Sequence, residues 1–166
     1  ADGDGDTVTY TKKMAFYHQY YGVNKTIDST VRSVGGEQER KIGVFWHTQG
    51  AGKSYSMVFF SQKIHRKISS GFTFLVVTDR EDLDKQIYRT YAGCGIVDNK
   101  RETVRASSGE HVRALLAEHK PYLFTLVHKF NKDVDPANPY STRENVIVIS
   151  DEAHRTQYGR LSLNMR

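Results

Sequence analysis

A glycine-rich stretch that ends in a lysine and a hydroxyl residue is the clearest chemical feature of this sequence. It reads His47-Thr48-Gln49-Gly50-Ala51-Gly52-Lys53-Ser54 and is called the phosphate turn below. Between a strand and a helix, such glycines let consecutive backbone N–H groups converge on phosphates, and the helix N-terminus adds its positive dipole end. Lys53 would then reach the β- and γ-phosphates, and Ser54 would coordinate Mg²⁺ through its hydroxyl.

The phosphate turn predicts an ATP and Mg²⁺ site, although His47 stands where the usual pattern has Gly or Ala. The alternative is an ordinary glycine turn whose lysine is merely exposed. The residues of the turn predicted to bind nucleotide are Thr48, Gln49, Gly50, Ala51, Gly52, Lys53 and Ser54.

A second motif, which is acidic, strengthens the interpretation that the chain binds a nucleotide. Asp151 and Glu152 directly follow the apolar run 145–150, and functional residues of α/β sheets gather at such strand ends. Asp151 is predicted to hold Mg²⁺, and Glu152 to orient and deprotonate the water that attacks the γ-phosphate. The predicted catalytic residues are therefore Lys53, Asp151 and Glu152, while the alternative for the two carboxylates is a helix N-cap pair.

These motifs need a scaffold, and the apolar pattern predicts alternating helices and strands. Apolar residues at helical spacing predict helices, and short runs rich in β-branched residues predict buried strands. The predicted helices span 18–33, 53–69, 79–91 and 109–119, and the predicted strands span 42–46, 72–78, 103–106, 122–127 and 145–150, with an exposed loop over 132–143. Strands apolar on both faces predict an α/β fold, a parallel sheet with helices on both faces.

Composition limits the function classes. The 166 residues are 38% hydrophobic and 26% charged, which fits one globular domain and excludes collagen-like, coiled-coil and largely disordered chains. No apolar run has the length of a membrane span, so no membrane partner is expected. The single cysteine, Cys94, favours a reducing cytoplasm, and the net charge of +5 is compatible with a polyanionic partner. Residues 1–15 are expected to be a flexible lead-in or linker.

Three stretches together resemble the motor (R) subunit of type I restriction enzymes. They are Trp46 to Ser54, Val76 to Gln86 with its Thr-Asp-Arg-Glu-Asp-Leu, and Asp151 to Gly159 with its Asp-Glu-Ala-His. The resemblance covers roughly 17–159 and accounts for His47, which is usual in that family. It implies that 16–166 is the first RecA-like domain of a superfamily 2 helicase or translocase, a P-loop NTPase fragment of a larger chain.

The resemblance also implies DNA contacts. Thr78 and Arg80, and then Thr125 and Lys129, fall in motifs that touch the DNA backbone in such motors, and contacts of this kind position DNA without reading its sequence. Alternatively, Thr78 caps the following helix and Arg80 is solvated. His154 would link the nucleotide site to the DNA-gripping motifs, or would simply be a packed core residue.

Gln19 resembles the glutamine that superfamily 2 proteins place upstream of the phosphate turn. An amide can donate to adenine N7 and accept from the exocyclic amine. The neighbouring aromatic residues Phe16, Tyr17, Tyr20 and Tyr21 could stack on the base or belong to the core.

The resemblance implies an ATP-hydrolysing DNA translocase module that acts on double-stranded DNA with methylation and specificity subunits. A second RecA-like domain of the same parent chain would complete its ATP pocket. Two alternatives stay open: a different superfamily 2 helicase, from repair or a type III restriction enzyme, and a fragment that binds nucleotide without activity of its own.

Overall fold

Within the residues that the structure describes, three parallel strands form one sheet. A computed structural model describes residues 11–37, 40–97, 104–130 and 139–151. Its elements are α1 (Tyr17–Val34), α2 (Lys53–Lys67), β1 (Thr73–Thr78), α3 (Glu81–Gly93), α4 (Gly109–Ala117), β2 (Tyr122–Leu126), a 3-10 turn (Val127–Phe130) and β3 (Val146–Ser150). The strand order is β2-β1-β3, and both pairs are parallel.

Alternate side chains of β1 divide the interior into two cores. Phe74 and Val76 point to the face that α1, α2 and α3 cover. Leu75 and Val77 point to the opposite face, where α4 packs through Leu115. Because strand side chains alternate, one fully buried strand supplies both cores, and its four central positions, 74–77, are all apolar. The predicted parallel α/β sheet with helices on both faces is confirmed.

The predicted strand over 42–46 is wrong. Residues 41–48 have no regular secondary structure and lie against α1 instead of joining the sheet. The ring of Phe45 occupies the space that a Cβ at Gly22 would fill, and Ser29 Oγ donates to Ile42 O at 2.5 Å. Val44 and Trp46 face the other way and are 84% and 83% exposed. The apolar run is therefore an extended segment whose inward side chains pack on a helix.

The other helices and strands lie close to their predicted ranges, apart from the predicted strand over 103–106. The position of β3 in the sheet is also worth noting. In place of a strand over 103–106, Arg105 makes a single parallel bridge to Phe124. β3 pairs with β1 alone among the described residues, and its Val148 is 40% exposed, so the most apolar strand lies at the described edge of the sheet. Most of the predicted loop 132–143 lies outside the described residues.

A polar network at the amino end of the sheet fixes the direction of α2. His65, near the end of α2, donates from Nε2 to Phe72 O at 2.9 Å, since a carbonyl can only accept. Its Nδ1 then accepts from the hydroxyl of Tyr122 at 3.0 Å, and Gln62 Nε2 donates to the same hydroxyl at 3.2 Å. Because the C-terminal end of α2 is held where the strands begin, its N-terminal end lies near the edge where they finish.

Among the described residues, no helix combines the length and the apolar character that crossing a membrane requires.

We predict that Tyr122→Phe lowers the free energy of unfolding by about 1 kcal/mol, because it leaves His65 and Gln62 without their shared partner. Chemical denaturation measures this change. Tyr17→Phe is the matched control, since the side chain of Tyr17 is 83% exposed. Equal stability of the two variants would contradict the role given to this network.

Candidate nucleotide site

The phosphate turn has the backbone geometry that anion binding needs. Gly50 and Gly52 have φ values of +82° and +76°, in the left-handed region that glycine adopts without strain. Gly52 is the N-cap of α2; among the described residues no side chain caps this helix, and its first turn carries no acidic residue. The first N–H groups of α2 and its positive dipole end are therefore available to a phosphate.

Two carbonyl groups of the turn are held on the side away from the expected phosphate. His18 Nε2 lies 3.2 Å from Ala51 O, and Gln19 Nε2 donates to Gly52 O at 3.0 Å. Lys53 Nζ lies 3.5 Å from His47 O, so its ammonium group stays beside the turn. The first turn of α1 thus contacts a segment 33 residues further along the chain.

Gln19 is deeply buried, and its amide has partners at both ends. Oε1 accepts the N–H of Phe16 at 3.0 Å, which caps the N-terminus of α1, while Nε2 bonds the phosphate turn. The side chain is 2% exposed. Adenine recognition by Gln19 stays a prediction, and the structure adds that this residue braces the phosphate turn.

Four aromatic rings line up beside the phosphate turn. Phe45 stacks on His47 with centroids 4.5 Å apart, His47 lies 4.9 Å from His18, and His18 stacks on Phe16 at 5.9 Å. Burial lowers the pKa of His47, and so do the nearby His18 and Lys53, which together favour its neutral form. Sequence reasoning missed His18, because nothing local marks a residue whose partner lies so far along the chain.

Asp151 lies at the carboxyl edge of the sheet. Its N–H donates to Val77 O at 3.0 Å, which places it beside the end of β1. α2 runs antiparallel to the strands, so the phosphate turn and Asp151 belong to the same edge, as the predicted nucleotide site requires. Glu152 and His154 lie outside the described residues.

The predicted Mg²⁺ ligands Ser54 and Asp151 suit that ion, which takes one or two protein oxygens and keeps its remaining ligands from water and phosphate. In the part of the chain that the structure describes, no group of three or more His, Cys, Asp or Glu side chains could hold a metal by itself. The residues therefore fit a metal that arrives with a nucleotide rather than an all-protein cage.

The four predicted DNA contacts divide into two kinds. Thr78 and Thr125 are fully buried, and within the described residues neither hydroxyl has a hydrogen-bond partner. Arg80 is exposed, with its guanidinium 3.0 Å from Asp82, and Lys129 lies half-buried in the 3-10 turn. Arg80, not Thr78, is the N-cap of α3. The accessible candidates for a phosphate contact are Arg80 and Lys129.

Comparison with known proteins agrees with this geometry. The model of the SWI2/SNF2 ATPase family matches residues 18–166. The chain is 42% identical, over 95% of its length, to the type I restriction enzyme HindI endonuclease subunit of Haemophilus influenzae, of which it covers 15%. It is 37% identical, over 97% of its length, to the putative type I restriction enzyme MjaIXP endonuclease subunit of Methanocaldococcus jannaschii, of which it covers 16%.

The two glycines of the phosphate turn give a matched pair of variants. Gly50→Ala should cost roughly 1 kcal/mol of stability, because its φ is strained for alanine although nothing lies within 4 Å of the added Cβ. Gly52→Ala should cost about 2 kcal/mol, since its Cβ would also lie 2.6 Å from Gln19 Nε2 and break that hydrogen bond. Denaturant unfolding measures both, and equal losses would mean that Gln19 does not brace the turn.

Proposed function

This chain belongs to the SWI2/SNF2 ATPase family, and from that premise we propose that it is the ATP-hydrolysing DNA translocase module of a type I restriction endonuclease subunit. The observation that carries the proposal is the uncapped N-terminus of α2, with its phosphate turn, at the same sheet edge as Asp151. The likeness to named type I restriction endonuclease subunits supports the assignment to such a subunit.

The chain's own residues have distinct tasks in this proposal. The N–H groups of the phosphate turn and the ammonium of Lys53 bind the triphosphate and neutralise charge that develops on its γ-phosphate. Ser54 and Asp151 would hold Mg²⁺, which supplies further charge neutralisation when bound. Glu152 orients the attacking water and accepts its proton.

DNA movement and the remaining partners belong to the proposal as well. Arg80 and Lys129 would contact the phosphate backbone of double-stranded DNA, and methylation and specificity subunits would select the DNA site. The chain spans about 15% of the length of the curated relatives it matches. We assign it the first RecA-like domain, over 16–166, and assign the nuclease and the second RecA-like domain to other parts of such a subunit.

Nucleotide binding without turnover is the second candidate function. One support is the edge position of β3, whose Val148 is 40% exposed. Another is the high exposure of the apolar side chains of Val44 and Trp46. Apolar surface exposed near the site suits a partner domain packed there. In that case this chain would hold ATP, and hydrolysis would need groups from the second domain.

An ATPase assay with and without double-stranded DNA tests the main proposal. It should be run on this chain and on a subunit of the relatives' length that contains it. We expect Lys53→Ala and Glu152→Gln each to lower DNA-stimulated turnover by about 100-fold or more, because one removes phosphate stabilisation and the other the general base.

Lys67→Ala is the control, since it removes the same charge from the far, exposed end of α2. DNA-stimulated turnover that survives both site substitutions would refute the proposed site. Turnover in the long subunit but not in this chain, with ATP bound by both, would favour the second candidate for the chain alone.

The proposed DNA contacts have a separate test in the salt dependence of DNA binding. Arg80→Ala and Lys129→Ala should each reduce the slope of log K against log salt concentration by about 0.9, because each would remove one phosphate contact. Arg89→Ala, on the exposed face of α3, is the control for an equal change of charge. Unchanged slopes for Arg80→Ala and Lys129→Ala would remove both residues from the DNA interface.

A further inference from the structure

The direction of each N–H group in the phosphate turn is tied to the carbonyl that precedes it. A trans peptide is planar, and its C=O and N–H point in opposite directions. A donor that holds Ala51 O on one side of the turn therefore turns the N–H of Gly52 to the other side. In the same way, a donor on Gly52 O turns the N–H of Lys53.

Consecutive residues of α1 supply these two donors. His18 Nε2 lies 3.2 Å from Ala51 O, and because a carbonyl only accepts, this nitrogen carries the hydrogen. Gln19 Nε2 donates to Gly52 O at 3.0 Å. The two contacts hold two adjacent peptides, so the N–H groups of Gly52 and Lys53 are directed away from the donors on α1.

The imidazole of His18 is itself held in place. Its ring lies nearly parallel to that of Phe16, with an interplanar angle of 8°, and His47 packs at 4.9 Å. His47 is in turn supported by Phe45, which reaches α1 because Gly22 has no side chain there. His18 is exposed, and ring contacts with Phe16 and His47 on its two sides orient its Nε2 toward Ala51 O.

We propose that His18 is a positioning residue of the nucleotide site, which turns the Gly52 N–H toward the phosphates through its hydrogen bond to Ala51 O. This inference rests on the proposed function, because it concerns how tightly the same site binds. His18 touches no phosphate itself. His18 therefore affects binding of the polyphosphate part of the ligand and not binding of its base.

Equilibrium binding of Mg²⁺·ATP and of Mg²⁺·tripolyphosphate tests the proposal. His18→Met has no donor and should weaken both ligands by about fivefold, the value of one hydrogen bond. His18→Gln has nearly the same size and places an N–H near the position of Nε2, so it should stay within about twofold of the unsubstituted chain. Hydrogen exchange of residues 48–55 without nucleotide should be faster in His18→Met than in His18→Gln.

His128→Met is the control, because His128 is an exposed imidazole in the 3-10 turn. Thermal unfolding midpoints identify any variant that fails to fold, and the exchange rates then decide between the two folded substitutions. Unchanged tripolyphosphate binding in His18→Met, or equal weakening in His18→Met and His18→Gln, would overturn the role of His18 alone. If the unsubstituted chain binds neither ligand, the proposed function falls together with this inference.

Discussion

The contact between the first turn of α1 and the phosphate turn is the constraint on which the rest of the site depends. A loop with left-handed glycines at 50 and 52 has many accessible conformations, and in water it would not keep its N–H groups on one side. Two side-chain donors from α1 hold two adjacent carbonyls, and an uncapped helix begins immediately afterwards. In the proposed function, pre-orientation of this kind would spare the nucleotide the cost of ordering the loop when it binds.

This contact requires α1 to lie against α2 in one register, and two features provide it. Val23 and Ile27 of α1 join the core that covers one face of the sheet. At the outer side, Gly22 leaves room for Phe45, so the segment before the phosphate turn also packs on α1. A side chain at position 22 would move Phe45, and with it His47 and the start of the turn.

Contacts at the opposite end of α2 determine where the phosphate turn lies relative to the sheet. The C-terminal end of α2 is held where β1 and β2 begin, by His65, Gln62 and Tyr122, at the end of the helix away from the proposed site. Since α2 is antiparallel to the strands, this anchoring brings its N-terminal end to the edge that carries Asp151. The same edge carries Thr78 and Thr125, whose buried hydroxyls have no hydrogen-bond partner within the described part of the chain.

Local patterns in the sequence determined most of the architecture. Helical and strand periodicity predicted α1 to α4 and β1 to β3 within a few residues, and the glycine-lysine pattern identified the phosphate turn, because both signals depend on near neighbours in the chain. Only the tertiary structure decided the partners of those elements. Residues 42–46 have a strand's composition, yet their inward side chains pack on α1. His18 and Gln19 read as ordinary positions of a helix until folding brings them to the phosphate turn, and Thr78 and Thr125 proved to be buried. Composition and spacing limit what a segment can form, whereas non-local packing selects what it touches.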